Sequence, residues 1–346
     1  MFSFRTTPLE DQMDKALQEG RVAVFCTQGC WDAEKQRYTY DIFASRGNLS
    51  RIYTPDGEHI DFNPDDLTEY DAVVVDIQDV GSRYFTYTID VLRLMSALKV
   101  TANAPSLYIV DHFNPAGRDV EGTLPAGDAD VWTPKVAHRH GLTIGELCNL
   151  YHDEISATYA LHVISATASS SNRILMPWTI PPAADFPGVF TPYFYTGGNL
   201  WCDTTVTPGI GTSRPYEFIG APWMKPESDL VPCPEGVKAR PCSFTPLSGP
   251  YSGEKCFGYQ FILYPGTRYH SLSHTVKLMR HFSERYSAFF IREDLFTRLA
   301  DPVMAEYLKG RITYDIVEEH IKSEEQKWIR KAKRYLLYED APCRIK

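Results

Sequence analysis

The sequence predicts an α/β fold: a Rossmann-like parallel sheet domain without a nucleotide fingerprint, followed by a smaller α+β C-terminal domain. Three observations carry this. Short apolar runs rich in Val and Ile recur through the first half and alternate with helical segments, the pattern of strands buried on both faces of a parallel sheet. The turn after the first run reads CTQGCWD, with no G-x-G-x-x-G to cradle a dinucleotide. From about residue 172 to 250 Pro, Gly, Thr and aromatics dominate, as in PWTIPPAADFPGVFTPYFYTGGNLW.

The expected strands of the first half are 21–26, 49–54, 72–78, 106–111 and 161–166. The helices between them are 11–18, 39–45, 82–98 and 144–154. The last opens on Thr143-x-x-Glu146, a capping box in which each side chain satisfies a backbone N–H of the other's residue. The Pro/Gly-rich stretch reads as a long ordered loop. A strand over 256–264 and helices over 272–285, 302–308 and 314–338 follow. The division falls between residues 1–175, the catalytic domain, and 176–346, a domain that closes the cleft.

Composition excludes several classes of function. With 43% hydrophobic and 23% charged residues among 346, the chain has the apolar surface to fold without disulfides or structural metal. A net charge of −9 argues against nucleic acid, whose phosphates need concentrated positive charge. No apolar run is long enough to span a membrane, and the N-terminal residues lack the apolar core of a signal peptide. The eight cysteines are scattered, with Cys26 and Cys30 the one close pair, so thiols in a reducing cytoplasm are expected. P-loop, H-E-x-x-H and G-x-S-x-G motifs are all missing, so chemistry without a cofactor is expected.

Open parallel sheets bind ligands beyond the carboxyl ends of their strands. Thr27 and Gln28 stand there after the first strand, and Asp56, Glu58 and His59 after the second. Gln78, Asp79 and Arg83 follow the third, and Asp111, His112 and Asn114 the fourth. Four strand ends thus deliver polar or ionisable groups to one edge. Several of these have a structural reading beside the functional one. Asp76 suits a hydrogen-bonded carboxylate within its strand, Asp79 a helix cap, and Glu146 the capping box. Arg83 and Tyr87 are spaced i, i+4 and share a face if both are helical; Arg83 then pairs with Asp79 or binds a ligand carboxylate. His138 and His140 are read first as satisfied structural histidines, and His270, His274 and His281 as solvent-facing on an amphipathic helix.

DIQDVGSRYFTY, VDHFNPAGRDVEG, HGLTIGEL and GIGTSRPYEFIGAPW, in that order, resemble the exo-β-N-acetylmuramidase (NamZ) family, once a domain of unknown function. The likeness runs from the TQG turn to KRYLLY. It implies a Rossmann-like domain bearing the site, a smaller domain closing over it, and release of terminal N-acetylmuramic acid from the non-reducing ends of peptidoglycan fragments, without metal or nucleotide. The partners it implies are peptidoglycan-derived sugars or muropeptides. Gln28 matches the family's turn after strand one. Where the family carries P-E-H-G after strand two, this chain has Pro55-Asp56-Gly57-Glu58-His59. Asp56 stands at the Glu position, and Glu58-His59 restores the pair two residues on. In the C-terminal domain Asp203 replaces a family Glu and Ile210 a family Arg.

Glu58 or Asp56 is therefore the expected catalytic acid, and Asp79 the group that orients the reacting centre. Arg83 or His140 is expected at the lactyl carboxylate, and Gln28, Gln78, Asn114 and Glu121 at sugar hydroxyls. Tyr87, Asn199 and Asp203 join the expected binding set, with Tyr193, Tyr195 and Trp201 as sugar-walling aromatics. Two other readings are a non-catalytic glycan-binding paralogue and a metal hydrolase built on Asp111, His112, His138 and His140.

Overall fold

The structure, a computed structural model, describes residues 13, 18, 20–32, 35–55, 59–126, 133–165, 180–226, 231–264 and 266–338. The helix expected over 11–18 falls almost wholly outside them.

Five parallel strands form the first sheet: β1 (Val22–Cys26), β2 (Leu49–Tyr53), β3 (Ala72–Asp76), β4 (Ser106–Asp111) and β5 (Leu161–Ser165). Their spatial order is β2-β1-β3-β4-β5, so the chain's direction of winding reverses between β1 and β3. Period-two alternation divides their side chains between two cores. Ala23, Phe25, Val73, Val75, Leu107 and Ile109 enter one, and Val22, Val24, Val74, Tyr108 and Val110 the other. Both faces of β1, β3 and β4 are covered, which is why these three read as apolar runs.

The helices of this domain are α1 (Thr39–Arg46), α2 (Pro64–Leu67), α3 (Thr86–Val100) and α4 (Ile144–Glu154). The capping box of α4 is present: Thr143 accepts from the Glu146 N–H, and Glu146 from the Thr143 N–H. Helix α3 begins four residues later than the expected 82. Gly81 has φ +81°, and a Cβ there would collide with the Asn114 amide. The backbone of residues 81–83 is paired instead with 138–140, through Arg83 N to His138 O (3.0 Å) and His140 N to Gly81 O (3.1 Å). Arg83 therefore precedes the helix and shares no helical face with Tyr87.

The C-terminal part holds α5 (Thr191–Gly198), the strands β6 (Phe218–Ala221), β7 (Val237–Phe244) and β8 (Cys256–Leu263), then α6 (Ser271–Arg285), α7 (Asp294–Leu299), α8 (Pro302–Leu308) and α9 (Tyr314–Ala332). The three strands make an antiparallel sheet in the order β6-β8-β7. The stretch expected to be loop thus contains a helix and two strands. Helix α5 opens with Pro192 in its first turn, where the missing N–H costs nothing. Its Gly197 lets the backbone of Ser271 approach so closely that any Cβ would clash.

A separate aromatic-rich core, with Trp201, Phe282, Tyr259 and Phe261, fills this part. Helix α9 joins the two halves. Val317 and Ile321 pack in the C-terminal core, while Trp328 and Ala332 pack in the core under the parallel sheet. Among the described residues, no helix is long and apolar enough to cross a membrane.

Candidate active site between the two domains

A cavity of about 560 Å³ opens beside the carboxyl ends of β2 and β3, within the size range of small-ligand sites. His59 and the first turns of α3 (Tyr87, Ile89, Arg93) line it from the sheet domain. Asp185, Phe186, Tyr195, Asn199, Tyr216 and Arg298 line it from the C-terminal part. Asp56 and Glu58 lie outside the described residues. The residue that follows them, His59, faces this cavity.

His59 is held by a buried partner. Its Nδ1 lies 2.7 Å from Oδ1 of Asp90, whose side chain is 0% exposed against 44% for the ring. Burial raises the Asp90 carboxyl above its usual range, and the bond from His59 opposes the rise only in part. Asp185 also lies in the cavity wall with its carboxyl pushed up by burial. The cation Arg298 donates to Asp203 at 2.6 Å, and its guanidinium lies over the Tyr84 ring. Sequence reasoning put His59 at the strand edge but found neither Asp90, Asp185 nor Arg298. An acid on the apolar stripe of α3 was the one signal that could have exposed Asp90.

The expected site residues divide into two groups. Arg83, Tyr87 and Asn199 line the cavity, and Asp203 reaches it through Arg298. The others do not line it, and Glu121 lines a second cavity of about 970 Å³ together with His270 and Glu325. Asp79, 2% exposed, accepts from Gly81 N (2.9 Å) and Thr88 Oγ1 (2.6 Å), and faces His140 Nε2 at 3.3 Å. Burial pushes this carboxyl up, but His140 and the two hydrogen bonds outweigh it, so its pKa is lowered. His140 Nδ1 accepts from Leu142 N, which leaves the Nε2 proton pointing toward Asp79. Asp79 thus fastens the start of α3, whose residues form the cavity wall, and it is not the N-cap of that helix.

Arg83 is buried. It donates to the carbonyl oxygens of Thr123 (2.8 Å), Val136 (3.3 Å), Arg298 (3.4 Å) and Leu299 (2.6 Å). It ties the domains together and makes no pair with Asp79. Glu121 does similar work. Its carboxylate receives Ser271 N, Ser271 Oγ and Leu272 N at the start of α6, and pairs with Arg139 at 2.8 Å. Asn114 donates to Leu142 O, 28 residues on, and accepts from Ala116 N in its own turn. Gln78 donates to Asp79 O and Phe113 O, and Gln28 is exposed in the turn after β1.

Among the aromatics, Tyr195 lines the cavity with its hydroxyl on Tyr84 O, whereas Trp201 is core. His274 is buried between Tyr269 and Pro232 O, and His270 caps α6 and bonds Glu325, so neither is the solvent-facing residue expected. Asp111, His112, His138 and His140 do not converge. Asp111 is bonded to Thr143, Gly145 and Tyr338, and His138 to Tyr84 and Thr123.

These features define a two-domain α/β protein with a carboxylate- and histidine-bearing cleft at the carboxyl edge of its parallel sheet. The chain matches the family model for the N-terminal part of exo-β-N-acetylmuramidase NamZ over residues 22–182 and that for the C-terminal part over 193–338. It belongs to the NamZ family. It is 26% identical over 302 residues to the peptidoglycan β-N-acetylmuramidase NamZ of Bacillus subtilis (strain 168), covering 83% of this chain and 72% of that protein. Two crystal structures of DUF1343-family proteins from Bacteroides fragilis NCTC 9343 share its fold. One has a TM-score of 0.83 at 20% identity, the other 0.78 at 22%, each covering 96% of this chain and 97% of the other.

Proposed function

We propose that this chain is an exo-acting β-N-acetylmuramidase, a glycosidase that releases terminal N-acetylmuramic acid from the non-reducing ends of peptidoglycan fragments. The observation that carries the reading is the match of both family models across the two domains that together wall the cavity.

Glycoside hydrolysis needs an acid to protonate the leaving oxygen and a second group at the anomeric carbon. For a 2-acetamido sugar the substrate's own acetamido oxygen can serve as that second group, provided the protein orients it. Glu58 or Asp56 is the proposed acid, on the loop that His59 anchors. The Asp90 carboxylate holds the His59 ring in one orientation. Asp185, with its raised pKa, is a further proton donor on the opposite wall. Asp79 positions the α3 wall from behind. Arg93 and Arg298 line the cavity and are the proposed cations for the lactyl carboxylate, Arg298 being oriented by Asp203.

The test is hydrolysis of a chromogenic N-acetylmuramide by the purified chain. Released chromophore supports the reading. Tight muropeptide binding without turnover would instead make the chain a glycan-binding paralogue. Full rate in both Glu58→Gln and Asp56→Asn would remove the acid assignment.

A further inference from the structure

We infer that Cys30, Asp76 and His112 form a binding site for one zinc-like divalent cation at the carboxyl edge of β1, β3 and β4. Cys30 lies in the short turn after β1, Asp76 ends β3, and His112 follows β4. Their ligand atoms all lie within 4.8 Å of one another. The place is the reversal point of the β2-β1-β3-β4-β5 sheet, where open α/β sheets leave a crevice for ligands.

The geometry separates this cluster from a Cys–His–Asp proton relay. A relay uses opposite ring nitrogens for the nucleophile and the carboxylate. Here a single nitrogen, Nε2 of His112, faces both Asp76 Oδ1 at 2.6 Å and Cys30 Sγ at 3.9 Å. Sulfur, nitrogen and oxygen therefore converge on one point. Tetrahedral zinc at its usual bond lengths sets such atoms roughly 3.3–3.6 Å apart, so side-chain rotation must open the Nε2–Oδ1 contact from 2.6 Å and draw the sulfur in from 3.9 Å. A thiolate, an imidazole and a carboxylate together suit a borderline-soft ion, whereas magnesium or calcium would select oxygens alone.

The surroundings suit the role. The Thr39 hydroxyl donates to Asp76 Oδ2 and fixes the carboxylate, and Thr27 Oγ1 lies 3.6 Å from the Cys30 sulfur. Cys30 and Asp76 are buried, but the His112 side chain keeps 24% of its surface exposed, which gives an ion a path from solvent. Three protein ligands leave a fourth position for water. Binding releases the thiol proton to solvent, and His112 ligates as a neutral imidazole with its proton on Nδ1 and the Nε2 lone pair on the ion. None of the three residues lines the proposed sugar cavity, and the inference does not depend on muramidase activity.

The experiment is titration of the chelator-treated full chain with Co²⁺, followed by displacement with Zn²⁺. One equivalent of Co²⁺ is expected, with thiolate-to-cobalt absorption in the near ultraviolet that Zn²⁺ removes. Cys30→Ser should abolish that band, and His112→Gln, at a partly exposed position that tolerates change, should weaken binding roughly 10- to 100-fold or more. Cys242→Ser, on strand β7, should leave the titration unchanged. Absence of the band in the wild-type chain, or its survival in Cys30→Ser, overturns the assignment.

Discussion

His59 and Asp90 form a half-buried pair at the mouth of the interdomain cavity, with Nδ1 and Oδ1 2.7 Å apart. Asp90 projects from α3 beside Val91 and Leu94, both fully buried, so its oxygen is directional and shielded from water. The pair fixes the ring of His59, which lines the cavity and directly follows Glu58 in the sequence. Asp90→Asn keeps the volume and removes the charge. It should lower kcat on an N-acetylmuramide roughly 100-fold, the lower end of what a positioned acid–base group contributes. Unchanged kcat, with circular dichroism reporting an intact fold, would deny the pair a role in turnover.

Burial raises the Asp185 carboxyl, so it holds its proton to higher pH than a solvent-exposed acid. If it donates a proton during catalysis, activity falls as pH rises through its folded pKa. Asp185→Asn should therefore abolish the alkaline limb of the kcat profile. A variant that retains both limbs places the proton donor elsewhere, on the loop bearing Asp56 and Glu58.

How much of this was legible differs by element. The central strands β1, β3 and β4 announce themselves because burial on both faces leaves them almost wholly apolar, whereas the edge strands β2 and β5 are partly exposed and carry Ser50, Arg51 and His162. Strand β7 does not: it is an edge strand, half exposed, and carries Pro241, which a central strand would not accept. Helix α5 was hidden by its Gly-Gly end, where Gly197 meets Ser271, 74 residues away, and Gly198 meets Tyr216. The site shows the same limit. His59 was visible as a residue at a strand end. Asp90, 31 residues on, and Asp185, from the other side of the cleft, join it only through tertiary packing, and Arg83 gave no sign that its donors would be taken by carbonyl groups.

Arg298 links substrate recognition to the C-terminal half. Its guanidinium borders the cavity and is oriented by Asp203. Hydrogen bonds to charged groups contribute about 1.5–3 kcal/mol, or roughly 10- to 100-fold in binding. Arg298→Gln should weaken competitive inhibition by free N-acetylmuramic acid by that factor and leave N-acetylglucosamine, which lacks the lactyl carboxylate, unaffected. Equal loss for both sugars would mean that Arg298 shapes the wall without reading the carboxylate.

Glu121 joins the two domains through the start of α6. Replacing it with Gln leaves Arg139, which is fully buried, without its counter-ion, and weakens the anion at the start of α6. Breaking one side of a buried pair costs about 3–5 kcal/mol. Glu121→Gln should lower the urea midpoint accordingly at neutral pH. A midpoint within error of wild type would show that Ser271 and Leu272 find other acceptors and that the seam is not held by this charge.

His274 should give the chain a defined acid sensitivity. The ring is buried on α6, bonded to the Tyr269 hydroxyl and Pro232 O, and burial lowers its pKa from 6.5 to about 4. In the unfolded chain it binds a proton near pH 6.5; in the folded chain only near 4. The unfolded state therefore binds more protons across this window, and stability falls as pH drops from 6.5 toward 4. The full effect of this one residue is about 3 kcal/mol at the low end of the window. Above pH 6.5 both states hold a neutral ring and the contribution vanishes. His274→Gln should lose some stability at pH 7.5, where a good hydrogen-bonding fit is broken, yet show a shallower decline between pH 6.5 and 4. Urea unfolding of both proteins at pH 7.5, 5.5 and 4.5 makes the comparison. Parallel slopes for the two would assign the acid sensitivity to other groups.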